Sequence, residues 1–391
     1  MITVIKNIEV YSPKYLGKKQ VVIVSDTFEG IYDEINIPKD FVNIKEIDAE
    51  GYIMFPGFID NHVHITGGGG EGGFSTRTRE ISFSELTKAG VTTVVGCLGT
   101  DSVCRNMNTL IAKAKALEEE GINTFCYTGS YEIPVITVTG GIKEDLMLID
   151  KIIGVGEVAL SDHRSSQPTY EEFVKTVASA RTGGLLSGKA GIVNVHLGGG
   201  AKKLEMLFSL VRNTEIPPTQ LLPTHINRST ELFEMGIDYI REGGFVDLTT
   251  SSNPEYLEPG ELRASEGLKR IYDLNLSLEK VTFSSDAQGS MPLFNEKREL
   301  IGLGICSVDT LYNEVKDAIL DKKVPIEDAI AVITSNVARM LKLNRLGNIK
   351  KGYQADFVLV DKRSLEINSV YAKGKALIKD KEILVKGTFE N

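Results

Sequence analysis

The chain has 391 residues, with 53 acidic side chains against 44 basic ones and a net charge of −9, and it carries five histidines, four cysteines and no tryptophan. An acidic balance with scattered lysines argues against a nucleic-acid or anionic-membrane surface, since either partner is held by clustered positive charge. No apolar run approaches the roughly 18 residues of a membrane span, the amino terminus has no signal-like apolar core, and the cysteines lack CxxC spacing, so a reducing, cytoplasmic setting is expected.

In chain order, residues 1 to 52 read as short alternating strands, among them Met1-Ile-Thr-Val-Ile and Gln20-Val-Val-Ile-Val, broken by turn residues. The pattern returns near the carboxyl end in Ala355-Asp-Phe-Val-Leu-Val, Ile367-Asn-Ser-Val-Tyr and Glu382-Ile-Leu-Val. Each segment is too short to fold alone, so 1–52 and 346–391 are expected to combine into one small β domain. Between them, eight apolar strands are expected at 53–60, 91–98, 123–131, 152–160, 192–197, 221–225, 245–250 and 281–286. Helical segments separate them, for example at 109–120 and 171–180. That βα period makes 53–345 an α/β unit, and eight repeats suit a closed (β/α)8 TIM-like barrel. An open doubly wound sheet has the same period, and spacing alone does not prove closure.

Catalytic groups of a barrel belong at the carboxyl ends of its strands. There the sequence puts His62 and His64 after the first strand, Glu157 in the fourth, His196 and His225 ending the fifth and sixth, and Asp286 ending the eighth. Residues two apart on an extended segment point the same way, so His62 and His64 are placed to grip one ion, and imidazole with carboxylate is a ligand set for Zn²⁺ and similar cations. A lone histidine is more often a hydrogen-bonded core residue; the complete ordered set points to metal. Cys97 and Cys126 lie inside strand patterns and read as packing residues. The segment 67–73 is glycine-rich but lacks the Lys-Ser/Thr ending of a phosphate loop.

Pro56-Gly-Phe-Ile-Asp-Asn-His-Val-His, His196, His225, Asp286 and Gly347-Asn-Ile-Lys-Lys-Gly-Tyr-Gln-Ala-Asp-Phe together resemble the amidohydrolase superfamily of metal-dependent hydrolases. The resemblance spans essentially the whole chain. Within it, Gly67-Gly-Gly-Gly-Glu-Gly-Gly, Leu98-Gly-Thr-Asp, Thr128-Gly-Ser-Tyr, Ser161-Asp-His-Arg-Ser, Pro223-Thr-His-Ile-Asn-Arg and Ser284-Ser-Asp-Ala-Gln-Gly-Ser are most similar to the isoaspartyl dipeptidase family, which cleaves β-aspartyl dipeptides.

That resemblance implies two divalent ions per chain, Zn²⁺ first among the candidates. His62, His64 and Asp286 would hold one ion and His196 and His225 the other, with a strand-four carboxylate and a hydroxide bridging them. The family's usual bridge is a carboxylated lysine; Glu157 stands here instead. A glutamate supplies two oxygens on a shorter arm, which Gly154 and Gly156 would accommodate by letting the strand come closer. The other reading of Glu157 is a supporting group beside a single metal.

Asp286 would act as general base and then acid, and Tyr131 would donate to the oxygen that becomes negative. Glu71 would pair the substrate ammonium. Thr100 and backbone N–H groups of the loop containing Gly69 would take the nearer carboxylate, and Arg164, Arg228 and Ser290 would contribute further carboxylate contacts. His163 reads as a supporting residue. Rival readings are a hydrolase of cyclic amides, as hydantoinases and dihydroorotases are, and a non-catalytic relative, although such relatives tend to have lost metal ligands. By the same resemblance the chain is expected to form an octamer, with a small dipeptide as its partner molecule.

Overall fold

The computed structural model describes residues 2–38, 43–252, 257, 260–294 and 300–390. Alternating apolar residues in the amino-terminal stretch form β1 (Ile2–Tyr11), β2 (Tyr15–Val24), β3 (Thr27–Tyr32), β4 (Ile44–Asp48) and β5 (Tyr52–Pro56). Ile5, Ile8, Val10, Val21, Ile23, Phe28 and Met54 point to one buried face, as a period of two requires when one side of a sheet meets a core.

The chain then enters the barrel. Its strands are β6 (Phe58–Val63), β7 (Val91–Gly96), β8 (Asn123–Thr128), β9 (Ile152–Leu160), β10 (Ile192–Leu197), β11 (Leu221–Thr224), β12 (Val246–Thr249) and β13 (Val281–Ser284). β6 to β11 pair side by side in parallel, and β12 pairs in parallel with β13. One remaining joint closes where His64 N donates to Ala287 O at 2.9 Å and Asp286 N to His62 O at 3.1 Å. The other is bridged by side chains, Thr224 Oγ1 to Asp247 Oδ2 at 2.8 Å and Thr249 N to Asn227 Oδ1 at 2.8 Å. The fold is therefore a TIM-like barrel, and the open-sheet alternative falls. Every residue of β6, β7, β9, β10, β11 and β13 is buried, as in parallel strands covered on both faces, although β6 carries Asp60, Asn61 and His62 and β10 carries Asn194 and His196.

After the hairpin β14 (Ser290–Phe294) and β15 (Leu300–Ile305), β16 (Phe357–Asp361), β17 (Ile367–Ala372), β18 (Lys375–Lys379) and β19 (Glu382–Ile383) return to the first sheet. β16 lies antiparallel on β5, whose other edge touches β1 in parallel. Val337, Ala338 and Leu341, from the helix Ser335–Met340 and its end, pack with Ile59, Ile153, Ile192 and Leu222, sealing the amino-terminal end of the barrel and leaving the other end for chemistry. Among the described residues no helix is long and apolar enough to cross a membrane.

Three expectations change. The first strand, expected at 53–60, is two strands in two different sheets, split at Gly57. A Cβ there would collide with Thr92 Oγ1 and lie 2.9 Å from Asp356 Cβ, so only glycine lets the chain pass between the sheets. The strands expected to reach Tyr131, His225 and Asp286 stop earlier, because His225 and Asp286 adopt left-handed φ values of 64° and 53°. The helix expected at 171–180 runs from Tyr170 to Ser187. Gly183 and Gly184 continue it because a Cβ on either would strike Leu146 or the backbone of Gly191.

Candidate metal centre

Glu157 stands at the middle of the barrel mouth and is buried. β9 can carry it there because its neighbours lack side chains. A Cβ on Gly154 would lie 2.6 Å from Ile192 O, and one on Gly156, at φ 142°, would lie 2.7 Å from Asn194 O. Two sets of donors share this carboxylate: His62, His64 and Cys97 on one side, and His196 and His225 on the other.

On the first side, Glu157 Oε2 is 3.3 Å from His62 Nε2 and Oε1 is 3.4 Å from His64 Nε2. Asp286 Oδ1 approaches the same two nitrogens at 3.6 and 3.1 Å. Cys97, the first residue beyond β7, is fully buried and places Sγ 3.7 Å from His64 Nδ1. On the second side, His196 Nδ1 lies 3.1 Å from Glu157 Oε2 and 3.0 Å from His225 Nε2.

The outer nitrogens of both rings have oxygen partners. His196 Nε2 meets Asp162 Oδ2 at 3.1 Å and His225 Nδ1 meets Thr249 Oγ1 at 2.6 Å. With protons assigned to those outer nitrogens by this network, His196 Nδ1 and His225 Nε2 both present lone pairs to the same point. Burial, with Arg228 and His196 adding to it, pushes His225 down to about 3, so its ring stays neutral and able to ligate. Glu157 is held well below the usual carboxylate range: burial opposes this, but His62 and His196 outweigh it.

Two nitrogen lone pairs and an anionic oxygen about 3 Å apart repel one another until a cation takes all three. Both nitrogens of His62 and Asp286 Oδ1 are buried without a hydrogen-bond partner, as groups reserved for a cation would be. The residues fit the implied metals, and the two sets form a binuclear divalent-metal site.

Around the metal centre, Tyr131 Oη lies 2.9 Å from His196 Nδ1, and burial together with the nearby Glu157 charge keeps its hydroxyl protonated far above the ordinary range. Thr100 Oγ1 donates to Glu71 Oε1 at 3.0 Å, Arg164 Nη1 reaches the same oxygen at 3.2 Å, and Ser290 Oγ donates to Glu71 Oε2 at 3.4 Å. Gly69, at φ 68°, sits against Thr76 O and Ser290, where a Cβ would lie 2.7 Å from the former and 3.2 Å from the latter. Arg228 Nη1 donates to Leu197 O at 3.0 Å and comes within 3.4 Å of His196 Nε2. The structure thus places Tyr131, Glu71, Thr100, Arg164, Arg228 and Ser290 at the same end of the barrel as the metal donors.

The chain belongs to the amidohydrolase family. The family model matches residues 53–377. The β-aspartyl dipeptidase of Fervidobacterium islandicum AW-1, solved in complex with the β-Asp-Leu dipeptide, is 47% identical, covers 98% of this chain and 97% of its own, and superposes with a TM-score of 0.91. A second structure of the enzyme from that organism gives 46% identity, 98% coverage of both chains and a TM-score of 0.90. A dihydroorotase of Clostridium acetobutylicum is 24% identical over 92% of this chain and 89% of its own length. The split terminal sheet accompanies the barrel as in that family, and Glu157 is common to both donor sets.

Two residues escaped the sequence reading. Asp162 was overshadowed by His163, yet His163 turns outward with its side chain 91% exposed, while Asp162 binds His196 and accepts Arg164 Nη2 at 2.8 Å. Burial opposes ionisation of Asp162, but His196 and Arg164 hold it far below the usual range. The one contact of His163 toward the site is with Asp162, its Nδ1 lying 3.5 Å from Asp162 Oδ1. The signal for Asp162 was its place directly after β9, where any carboxylate can turn back over the barrel mouth. Cys97, read as packing, is fully buried as that reading expects, and it lies beside His62, His64 and Glu157.

Proposed function

We propose that this amidohydrolase is a two-metal β-aspartyl (isoaspartyl) dipeptidase. The match over 98% of the chain to a dipeptidase solved with β-Asp-Leu carries the reading, and the paired donor sets around Glu157 supply the site it needs. In this proposal His62, His64 and Asp286 would hold one ion and His196 and His225 the second, with Glu157 available to both, and zinc suits the nitrogen and oxygen donors. When bound, such ions lower the pKa of water into the neutral range and polarise a carbonyl.

The chain's own residues do the rest. Asp286, with Oδ1 free of hydrogen bonds, takes the proton of the attacking water and passes it to the departing amine. Tyr131, kept protonated by burial, donates to the oxygen that gains charge. Glu71 is held ionised by its own backbone N–H, Thr100 and Arg164 against the opposing effect of burial, and pairs the α-ammonium. The α-carboxylate lies against Thr100 and the backbone around Gly69, and Arg164, Arg228 and Ser290 complete the carboxylate contacts. The proposal divides the chain into the catalytic unit 53–345 and the terminal unit 1–52 with 346–391. A cytoplasmic octamer completes it, supported by four free cysteines and by resemblance to isoaspartyl dipeptidases.

A panel of β-Asp-Leu, α-Asp-Leu, hydantoin and dihydroorotate tests the substrate class. Turnover of β-Asp-Leu alone is expected. Hydrolysis of the α-linked peptide or of either ring with β-Asp-Leu untouched would reject it, and the ring outcome would favour the cyclic-amide reading that the dihydroorotase likeness raises.

A further inference from the structure

We propose that Cys97 is a metal ligand, giving the ion held by His62 and His64 a sulfur donor in addition to nitrogen and oxygen. The inference rests on the two-metal reading above and adds to it a residue outside the His, Glu and Asp set. Cys97 is held in place by its own backbone: its N–H donates to Val63 O at 3.0 Å, the carbonyl between the two histidines, so the thiol is fixed beside them. Its Sγ belongs to a group of four donors, with His62, His64 and Glu157, whose ligand atoms all lie within 4.8 Å of one another. With metal–nitrogen bonds near 2.0 Å and a metal–sulfur bond near 2.3 Å, neighbouring donors of a zinc site that expands from four to five ligands, so as to keep Asp286, stand about 2.8–3.6 Å apart. The 3.3 and 3.4 Å separations of Glu157 from His62 Nε2 and His64 Nε2 match that spacing, and Sγ lies 3.7 Å from the other nitrogen of the second ring, His64 Nδ1.

A second observation points the same way. Both ring nitrogens of His62 are buried without a hydrogen-bond partner beside a thiol with no exposed surface; a cation among the four groups would take one of those nitrogens and the sulfur together. Cys97 ligates as the thiolate, its proton passing to solvent as the metal enters. Sulfur is a soft donor, so it biases this position toward zinc, cobalt and cadmium and away from magnesium or manganese.

Cobalt reads this directly. The full-length protein, stripped of metal and titrated with Co²⁺ alone, should take up two ions per chain and develop a near-ultraviolet sulfur-to-cobalt charge-transfer band. The band should vanish in Cys97→Ala and persist in Cys104→Ala, Cys126→Ala and Cys306→Ala, and Cd²⁺ should bind Cys97→Ala at least about tenfold more weakly. Two bound cobalt ions in the unaltered protein without the band, or a band that survives Cys97→Ala, would overturn the assignment and leave Cys97 as a hydrogen-bond neighbour of His64 Nδ1. The first of these outcomes needs only the unaltered protein, so the assignment can be overturned even if Cys97→Ala fails to fold. Failure to bind cobalt at all would instead reject the two-metal reading.

Discussion

Replacing Gly156 by alanine isolates the device that lets a glutamate stand where the family usually has a longer bridging group. The new Cβ would lie 2.7 Å from Asn194 O and 2.9 Å from Asn194 Cβ, both on β10, and reaching ordinary contact at 3.4 Å requires β9 and β10 to part by about 0.7 Å. Forcing a methyl into a packed interior costs about 1–3 kcal/mol, and holding a non-glycine residue at φ 142° costs a further ~1–3 kcal/mol. The lower end of both already implies a melting temperature lower by roughly 2–3 °C or more. Glu157 is the next residue, so the displacement also moves the carboxylate relative to His62 and His196, and metal affinity should fall by about 10–100-fold, as for lost support around other metal sites. Calorimetry and elemental analysis after dialysis against a weak chelator measure the two effects. A Gly156→Ala protein that melts within a degree of the parent and keeps two ions would refute the claim that close strand approach places Glu157.

Three further outcomes are expected. Asp286→Asn should lower kcat on β-Asp-Leu by about 10²–10⁴-fold while elemental analysis still finds metal bound; retention of substantial activity would remove Asp286 from proton transfer. Tyr131→Phe should lower kcat by about 10²–10³-fold with little change in KM, and an effect confined to KM would make Tyr131 a binding group only. Asp356 is buried between the sheets, accepting from Asn123 Nδ2 at 2.7 Å, Gln354 Nε2 at 2.9 Å and Lys373 N at 2.7 Å, and burial pushes its carboxyl up to about 6 from 3.8. The native state thus holds this proton more tightly than the unfolded chain, so its contribution is largest below pH 4 and declines by about 3 kcal/mol as pH rises through 6. The stability difference between the parent and Asp356→Asn should therefore narrow from pH 4.5 to 7 in denaturant melts, and a constant difference would contradict the buried-proton account.

The barrel and its metal histidines were legible because parallel strands covered on both faces are rich in apolar residues, and the first, fifth, sixth and eighth of them run into a histidine or carboxylate with no apolar role. What stayed hidden depends on single backbone angles or on contacts between distant strands. Pro56-Gly57 carries no hydrophobic break, so Tyr52 to Val63 looks continuous although it feeds two sheets. In Ser161-Asp162-His163 two adjacent side chains compete to face the site, and the turn at Ser161, with φ 53°, sends the aspartate inward. Cys97 looks like any strand cysteine until β7 is set beside β6, which no local pattern announces.

The terminal sheet has a consequence for how the protein must be made. β5 receives β16 through the pairing of Pro56 with Phe357, so a strand synthesised early waits on the ribosome for a partner roughly three hundred residues later. During that interval β5 offers an unpaired backbone edge to any passing strand, the kind of exposure that invites mispairing. The neighbouring strand β1 can zip with β2 at once, giving the nascent amino terminus a hairpin to shelter against while the barrel is completed. A chain cut short before Phe357 would keep every candidate metal ligand yet leave that edge open for good, so its expected failing is self-association rather than loss of the metal site.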